Sequence, residues 1–154
     1  MELEQQLQTL TKDAAELGIA PIVIEKAVAP VLKLLAQQLN HLEYFVLQNF
    51  SQDWVLITIK NNQETSQEKR VIYAFTTVKD AATFQGSDDP DILAVPIPVT
   101  HLLFELFSVQ QIDSIIFFDT PGNLTQAVEI QRDRLDGLIF QQIQQLQQIP
   151  PDLA

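Results

Sequence analysis

His101 and Glu105 are the two side chains best spaced for chemistry. Four positions apart on a segment of helical periodicity, they fall one turn apart on one face, where an imidazole and a carboxylate can share a proton or a metal ion. A metal centre needs more ligands than these two. The only other histidine, His41, lies beside Glu43 at an expected helix-to-strand junction, and no spacing carries it toward His101. Both histidines are therefore expected to make structural contacts. Asp119 completes the polar cluster, His101, Glu105 and Asp119, on which a small-molecule site or an enzyme would have to be built. It also opens the run Asp119-Thr120-Pro121-Gly122-Asn123, where the dihedral preferences of a tight turn account for all five residues.

Other chemistry-bearing patterns reduce to simpler readings. Asp88, Asp89 and Asp91 offer oxygen ligands for a hard cation but lack the ligand spacing and terminal glutamate of a calcium loop, so a solvated turn is expected. Asn123-Leu124-Thr125 matches a glycosylation acceptor, which matters only in a secreted chain. With 4 glycines and no cysteine, the chain has no phosphate-binding glycine loop, thiolate nucleophile or disulfide. No nucleophile elbow or zinc-binding histidine pair occurs. Catalytic, cofactor-binding and metal-ligating residues are accordingly assigned to none, and no cofactor is expected. Trp54, Tyr44, Phe45, Tyr73 and Phe75 resemble the stacking surface of a nucleic-acid-binding sheet, but aliphatic neighbours on alternating positions make them core.

The bulk chemistry points the same way. Twenty acidic residues against 9 basic ones give a net charge of -11, which repels phosphate backbones and anionic lipid, so neither nucleic acid nor membrane is an expected partner. A chain of 154 residues with 46% apolar content suits one domain, residues 1–154, with a sizeable core. Met1-Glu2-Leu3-Glu4 does not open a signal peptide, and no apolar run approaches the ~20 residues that span a bilayer. A cytoplasmic location is the expectation.

The elements that must position these residues follow from periodicity. Leu3, Leu7, Leu10, Ala14 and Leu17 form one helical stripe that Gly18 stops. A second helix starts at Pro21, and Pro30 must kink or restart it. Alternation then predicts strands over Tyr44 to Leu47, Trp54 to Ile59 and Val71 to Thr76, paired as an antiparallel meander. Val78 to Phe84 predicts a helical turn, and Gly86 to Asp91 a mobile loop. Pro96 and Pro98 confine Ala94 to Val99 to an edge strand at most. A helix follows from about Pro98 to Phe107, then a hairpin of Ser114 to Asp119 with Leu124 to Ile130, then a helix from about Arg132 to Ile149. The expected fold is α+β: a five-stranded antiparallel sheet in the order α(α)-β-β-β-α-β-β-α, with terminal helices on one face.

That order, with the size and acidity, resembles the type III secretion chaperones and the related YbjN-like proteins. The glutamine-rich terminal helices also resemble those of cyanobacterial proteins of unknown function. The resemblance to the chaperones implies binding to a partner polypeptide and homodimerisation through the helix at Pro98 to Phe107. The residues point to the same segment independently. Val99, Leu102, Leu103, Phe104, Leu106 and Phe107 cover well more than the ~100° that a surface helix buries, so the surplus apolar face meets either a second copy or, with the helix buried between the sheet and the loop at 86–97, the rest of the monomer. Val99, Leu103, Phe104 and Phe107 are the expected interface residues. The leading reading is a non-enzymatic protein-binding module, chaperone-like or adaptor, with a protein partner and a homodimeric state. The alternative is a small-molecule-binding domain or an enzyme around His101, Glu105 and Asp119.

Overall fold

The computed structural model describes residues 2–16, 18–60, 68–85 and 91–147. Helix α1, Leu3–Glu16, buries Leu7, Leu10 and Ala14 as its stripe predicts, and Gly18 stops it at a φ of 88°. The second helical segment runs without a break through α2 (Pro21–Val23), a π-helix (Ile24–Val28) and α3 (Ala29–Gln37). Pro30 explains the middle piece. It has no N–H to give the carbonyl of Lys26, and its ring would press on that carbonyl in a regular α-turn. The wider turn, in which Ala29 N–H reaches Ile24 O, precedes the proline and lets the helix continue.

Six strands form one sheet: β1 (Glu43–Asn49), β2 (Ile57–Lys60), β3 (Glu68–Phe75), β4 (Ile92–Pro98), β5 (Ser114–Phe118) and β6 (Val128–Gln131). Their order is β4-β1-β3-β5-β6, with β2 paired to β3 beside this path. The expected five-stranded antiparallel sheet is thus corrected in two respects. The sixth strand is the proline-bearing edge segment, β4. The sheet is also mixed, because β3 and β5 run parallel, Tyr73 opposite Ile116. Between them the chain makes helix α4 (Val78–Gln85), crosses to the far edge as β4, and returns through helix α5 (Val99–Ser108). No local turn joins β3 to β5, so no turn chemistry forces them antiparallel.

The meander is altered too. β1 meets β3 only at Phe45↔Phe75 and Val46↔Ala74, and β2 takes over the first half of β3 from Val71↔Ile57 onward. At the handover Trp54 bridges Gln48, and Val55 N–H donates to Leu47 O at 2.9 Å. The β5–β6 hairpin is antiparallel as expected, with Gly122 at a φ of 79° in its connection.

Strand alternation sorts the side chains into two layers. Tyr44, Val46, Ile72, Ala74, Ile115 and Phe117 meet α1, the π-helix, α3, α5 and α6 (Arg132–Gln147) in the main core. On the opposite face Phe75, Phe118 and Tyr73 stack beneath Phe84 of α4, with Phe75 and Phe118 5.3 Å apart and 9° from coplanar. The aromatic strand residues Tyr44 and Phe75 are therefore core.

Helix α5 lies at the centre of the helical layer, against α1, α3 and α6. Val99 and Leu103 are fully buried, Phe104 retains 6% exposure, and Phe107 packs half-buried beside it. The four residues of the expected interface are thus packed within the chain. The apolar girth that exceeds one stripe is taken up by the chain's own helices on several sides.

Candidate functional site

Three helical donors illustrate how the sequence sets α5 in place. Val99 N–H donates to Leu42 O at 2.9 Å. Thr100 N–H and Thr100 Oγ1–H both donate to Gln6 Oε1, at 3.1 and 2.8 Å, while Gln6 Nε2 donates to Leu42 O at 2.9 Å. Pro98 at the N-cap has no side chain that can cap, so a fully buried glutamine from α1 does it from 94 residues away. The far end of α5 is held by Arg132, whose Nη1 donates to Val109 O at 3.2 Å and to Gln110 O, the last carbonyls of the helix region. Asp113 locks the following turn: its N–H donates to Arg70 O and its Oδ2 accepts from Arg70 N–H, each at 2.8 Å. Both arginines also face the Asp113 carboxylate, Arg132 Nη2 at 3.6 Å and Arg70 Nε at 3.9 Å.

Between this pinned end of α5 and the β1–β2 turn opens a cleft of about 440 Å³. Ile72 of β3 forms its floor. Glu105, Val109, Gln111 and Ile112 make one wall, and Gln52, Asp53, Trp54 and Leu56 the other. Asn49 shapes the second wall, its Oδ1 accepting Ser51 N–H and Asp53 N–H at 2.9 and 3.0 Å, and Gln52 adopts a φ of 66°. Burial pushes the Glu105 carboxyl above its ordinary range, and among the described residues no cation or hydrogen-bond donor offsets that burial. A largely apolar concavity with one desolvated carboxylate is suited to gripping a ligand.

Only Glu105 of the expected polar cluster lies in this cleft. His101, one turn away on α5, is turned toward α1: burial lowers its pKa, the Gln6 backbone and Asp13 act the other way, and its buried Nε2 has no hydrogen-bond partner among the described residues. No hydrogen bond joins it to Glu105. Asp119 is elsewhere, accepting from Asn40 N–H at 3.0 Å, Asn40 Nδ2 at 2.7 Å and the Tyr44 hydroxyl. Burial, then the Asp119 carboxylate, raises the Tyr44 pKa, so its hydroxyl stays a donor. His41 stands edge-on to Tyr44 with Nε2 3.2 Å from Asp119 O. These four residues fasten the α3–β1 junction to the end of β5. A polar hollow of about 560 Å³ adjoins them, lined by Asn40, Asp119 and Thr120 to one side and Thr125 to Val128 on the other. In the following turn Asn123 Oδ1 accepts from Thr125 N–H and Gln126 N–H, at 2.9 and 3.3 Å, and Gly122 N–H donates to Asp80 Oδ2 of α4 at 2.9 Å.

Asp88 and Asp89 lie outside the described residues, as do the loop at 61–67 and the end of the chain beyond 147, with Ile149. Among the described residues no group of three or more histidines and carboxylates stands close enough to hold a metal, and no helix is long and apolar enough to cross a membrane. Set against protein-family models, curated proteins and solved structures, the chain finds no match in any of the three.

Of the cleft residues, Gln52, Asp53, Leu56, Val109 and Ile112 carry no motif or spacing that singles them out, and Trp54 reads from the sequence only as a core aromatic. One signal did exist. Trp54-Val55-Leu56-Ile57 is four apolar residues in a row where a half-buried strand alternates, so part of that run has to find cover outside the sheet.

Proposed function

We propose that the protein is a non-enzymatic, chaperone-like or adaptor module that holds a segment of a partner polypeptide in the cleft between α5 and the β1–β2 turn. The observation that carries this reading is the cleft itself: apolar side chains from two separate parts of the chain line it and remain open to solvent, with Leu56 42% exposed. Phe50 at the tip of the same turn, 66% exposed, extends the apolar surface beside it. Its rim is braced by Arg132, Arg70 and Asp113, so the surface is preorganised for binding. The acidic charge and the mixed, cytoplasm-suited composition support the same reading.

A small-molecule or enzymatic role has one observation in its favour, the presence of Glu105 in a concavity of ligand size. The one lining group with which that carboxylate could share a proton is Asp53, since the other polar members are Gln52 and Gln111, and no hydrogen bond joins the two carboxyls among the described residues.

Panning a displayed random heptapeptide library tests the proposal. Enriched sequences are expected to bind wild type and to shift the emission of Trp54, the one tryptophan of the chain, and to lose affinity for Val109→Phe, which fills the cleft. Equal enrichment on both proteins, or none on either, ends the reading.

A further inference from the structure

Resting on the cleft as the binding surface, we infer that its occupant carries a lysine or arginine side chain flanked by apolar residues, the cation seated against Glu105 and Asp53. The lining contains two carboxylates, one aromatic ring, four aliphatic side chains and two glutamines, and it contains no lysine, arginine or histidine. The nearby cations are already committed: Arg70 and Arg132 face Asp113, and Arg132 also caps the carbonyls of Val109 and Gln110. Glu105 consequently lies desolvated beside apolar walls without a partner of its own among the described residues. Such a carboxylate gains more from an incoming cation than an exposed one does, because its desolvation has already been incurred in the free protein.

The other lining groups fit the rest of that ligand. A lysine or arginine side chain has an apolar stem that can lie along Leu56, Val109 and Ile112 before its charge reaches the carboxylates. The face of Trp54 favours a cation over a neutral group. The chain's net charge of -11 selects against a second copy of itself as occupant, since two such chains repel. Opening to solvent along one side suits a side chain presented by a polypeptide better than a free amine, which gains most from enclosure.

The test uses synthetic heptapeptide pools with leucine, valine and alanine at six positions and the central residue set as lysine, norleucine or glutamate. Trp54 emission follows binding to wild type and to Glu105→Gln. The lysine pool is expected to bind about tenfold more tightly than the norleucine pool, with that advantage lost in Glu105→Gln and the norleucine affinity kept. Equal affinity of lysine and norleucine pools removes the cation and leaves the apolar cleft standing. A lysine preference that survives Glu105→Gln reduces it to attraction by overall charge and overturns the inference. Hexylamine binding as tightly as the lysine pool replaces the polypeptide with a small amine and overturns it as well. Failure of all pools to perturb Trp54 sinks the cleft and the inference together.

Discussion

Glu105 and His101 are a turn apart on one helix, yet burial acts on them in opposite senses. Burial lifts the Glu105 pKa above about 4.5, so the folded chain binds that proton more tightly than the unfolded chain. Its stabilising effect is complete below the unfolded value and is lost as pH rises through the folded one. His101 is depressed below about 6.5, so the stability of its neutral form is complete above that value and is lost as pH falls toward the folded one. At neutral pH Glu105 is therefore the residue the fold would be better without, a pattern common where binding competes with stability. Glu105→Gln is expected to raise the melting temperature at pH 7 and to leave it nearly unchanged at about pH 4, where the carboxyl is mostly protonated in both states. Calorimetry at the two pH values checks this. A melting temperature at pH 7 that stays put or falls would mean that a cation or hydrogen-bond donor already stabilises the charge.

Among the elements, α5 depends on side chains supplied by others at both ends. Its N-terminus has no capping residue of its own, and Gln6 of α1 gives it an acceptor while also satisfying Leu42 at the start of the sheet. Gln6→Ala removes two buried hydrogen bonds and one part-buried one and strands Thr100 N–H without a partner, so it should cost about 2–3 kcal/mol. Urea unfolding measures the loss, and amide exchange at Thr100 should rise with it. A cost under about 0.5 kcal/mol would show that water replaces the glutamine. The edge strand β4 carries a different device. Val99 N–H turns inward to Leu42, so by alternation residues 93, 95 and 97 face β1, and 92, 94, 96 and 98 point their backbone groups outward. Pro96 and Pro98 thus remove two of the outward donors, which blunts this edge against strand addition by another chain.

For the whole molecule, the burial of α5 bears directly on the expected dimer, because a helix covered by α1, α3 and α6 offers little apolar face to a second copy. Phe104 separates the possibilities. A carboxylate placed at a site with 6% exposure, among α1, α3 and α6, has no partner and should cost about 4 kcal/mol or more. Phe104→Glu is therefore expected to unfold the chain instead of dissociating a dimer. Light scattering with circular dichroism decides it: a folded Phe104→Glu monomer derived from a dimeric wild type would return α5 to the surface.

Much of the architecture was legible in one dimension because short-range chemistry writes it. The α1 stripe ending at Gly18, the strands from Tyr44 and Val71, the β5–β6 hairpin across Pro121-Gly122 and the last helix from Arg132 all follow from periodicity and turn residues, which depend on neighbours a few positions away. Even the proline pair at 96 and 98 named its segment as an edge. What the sequence left open were relations between distant segments. Whether the broad apolar girth of α5 faces a second copy or three helices of its own chain depends on how many elements reach it, and periodicity carries no record of that number. The parallel pairing of β3 with β5 arises from a crossover through β4 and α5, and no single turn encodes it. The cleft belongs to the same class. Nothing in their own stretches of chain relates Trp54 to Val109 and Glu105, and only the fold, with Arg132 bracing one wall and Asn49 shaping the other, sets them on opposite sides of one cavity. Asp119 was drawn toward His101 and Glu105 by residue type alone, and the tertiary structure spends it on Asn40 and Tyr44, because a carboxylate at the end of β5 meets whichever donors the α3–β1 junction brings there.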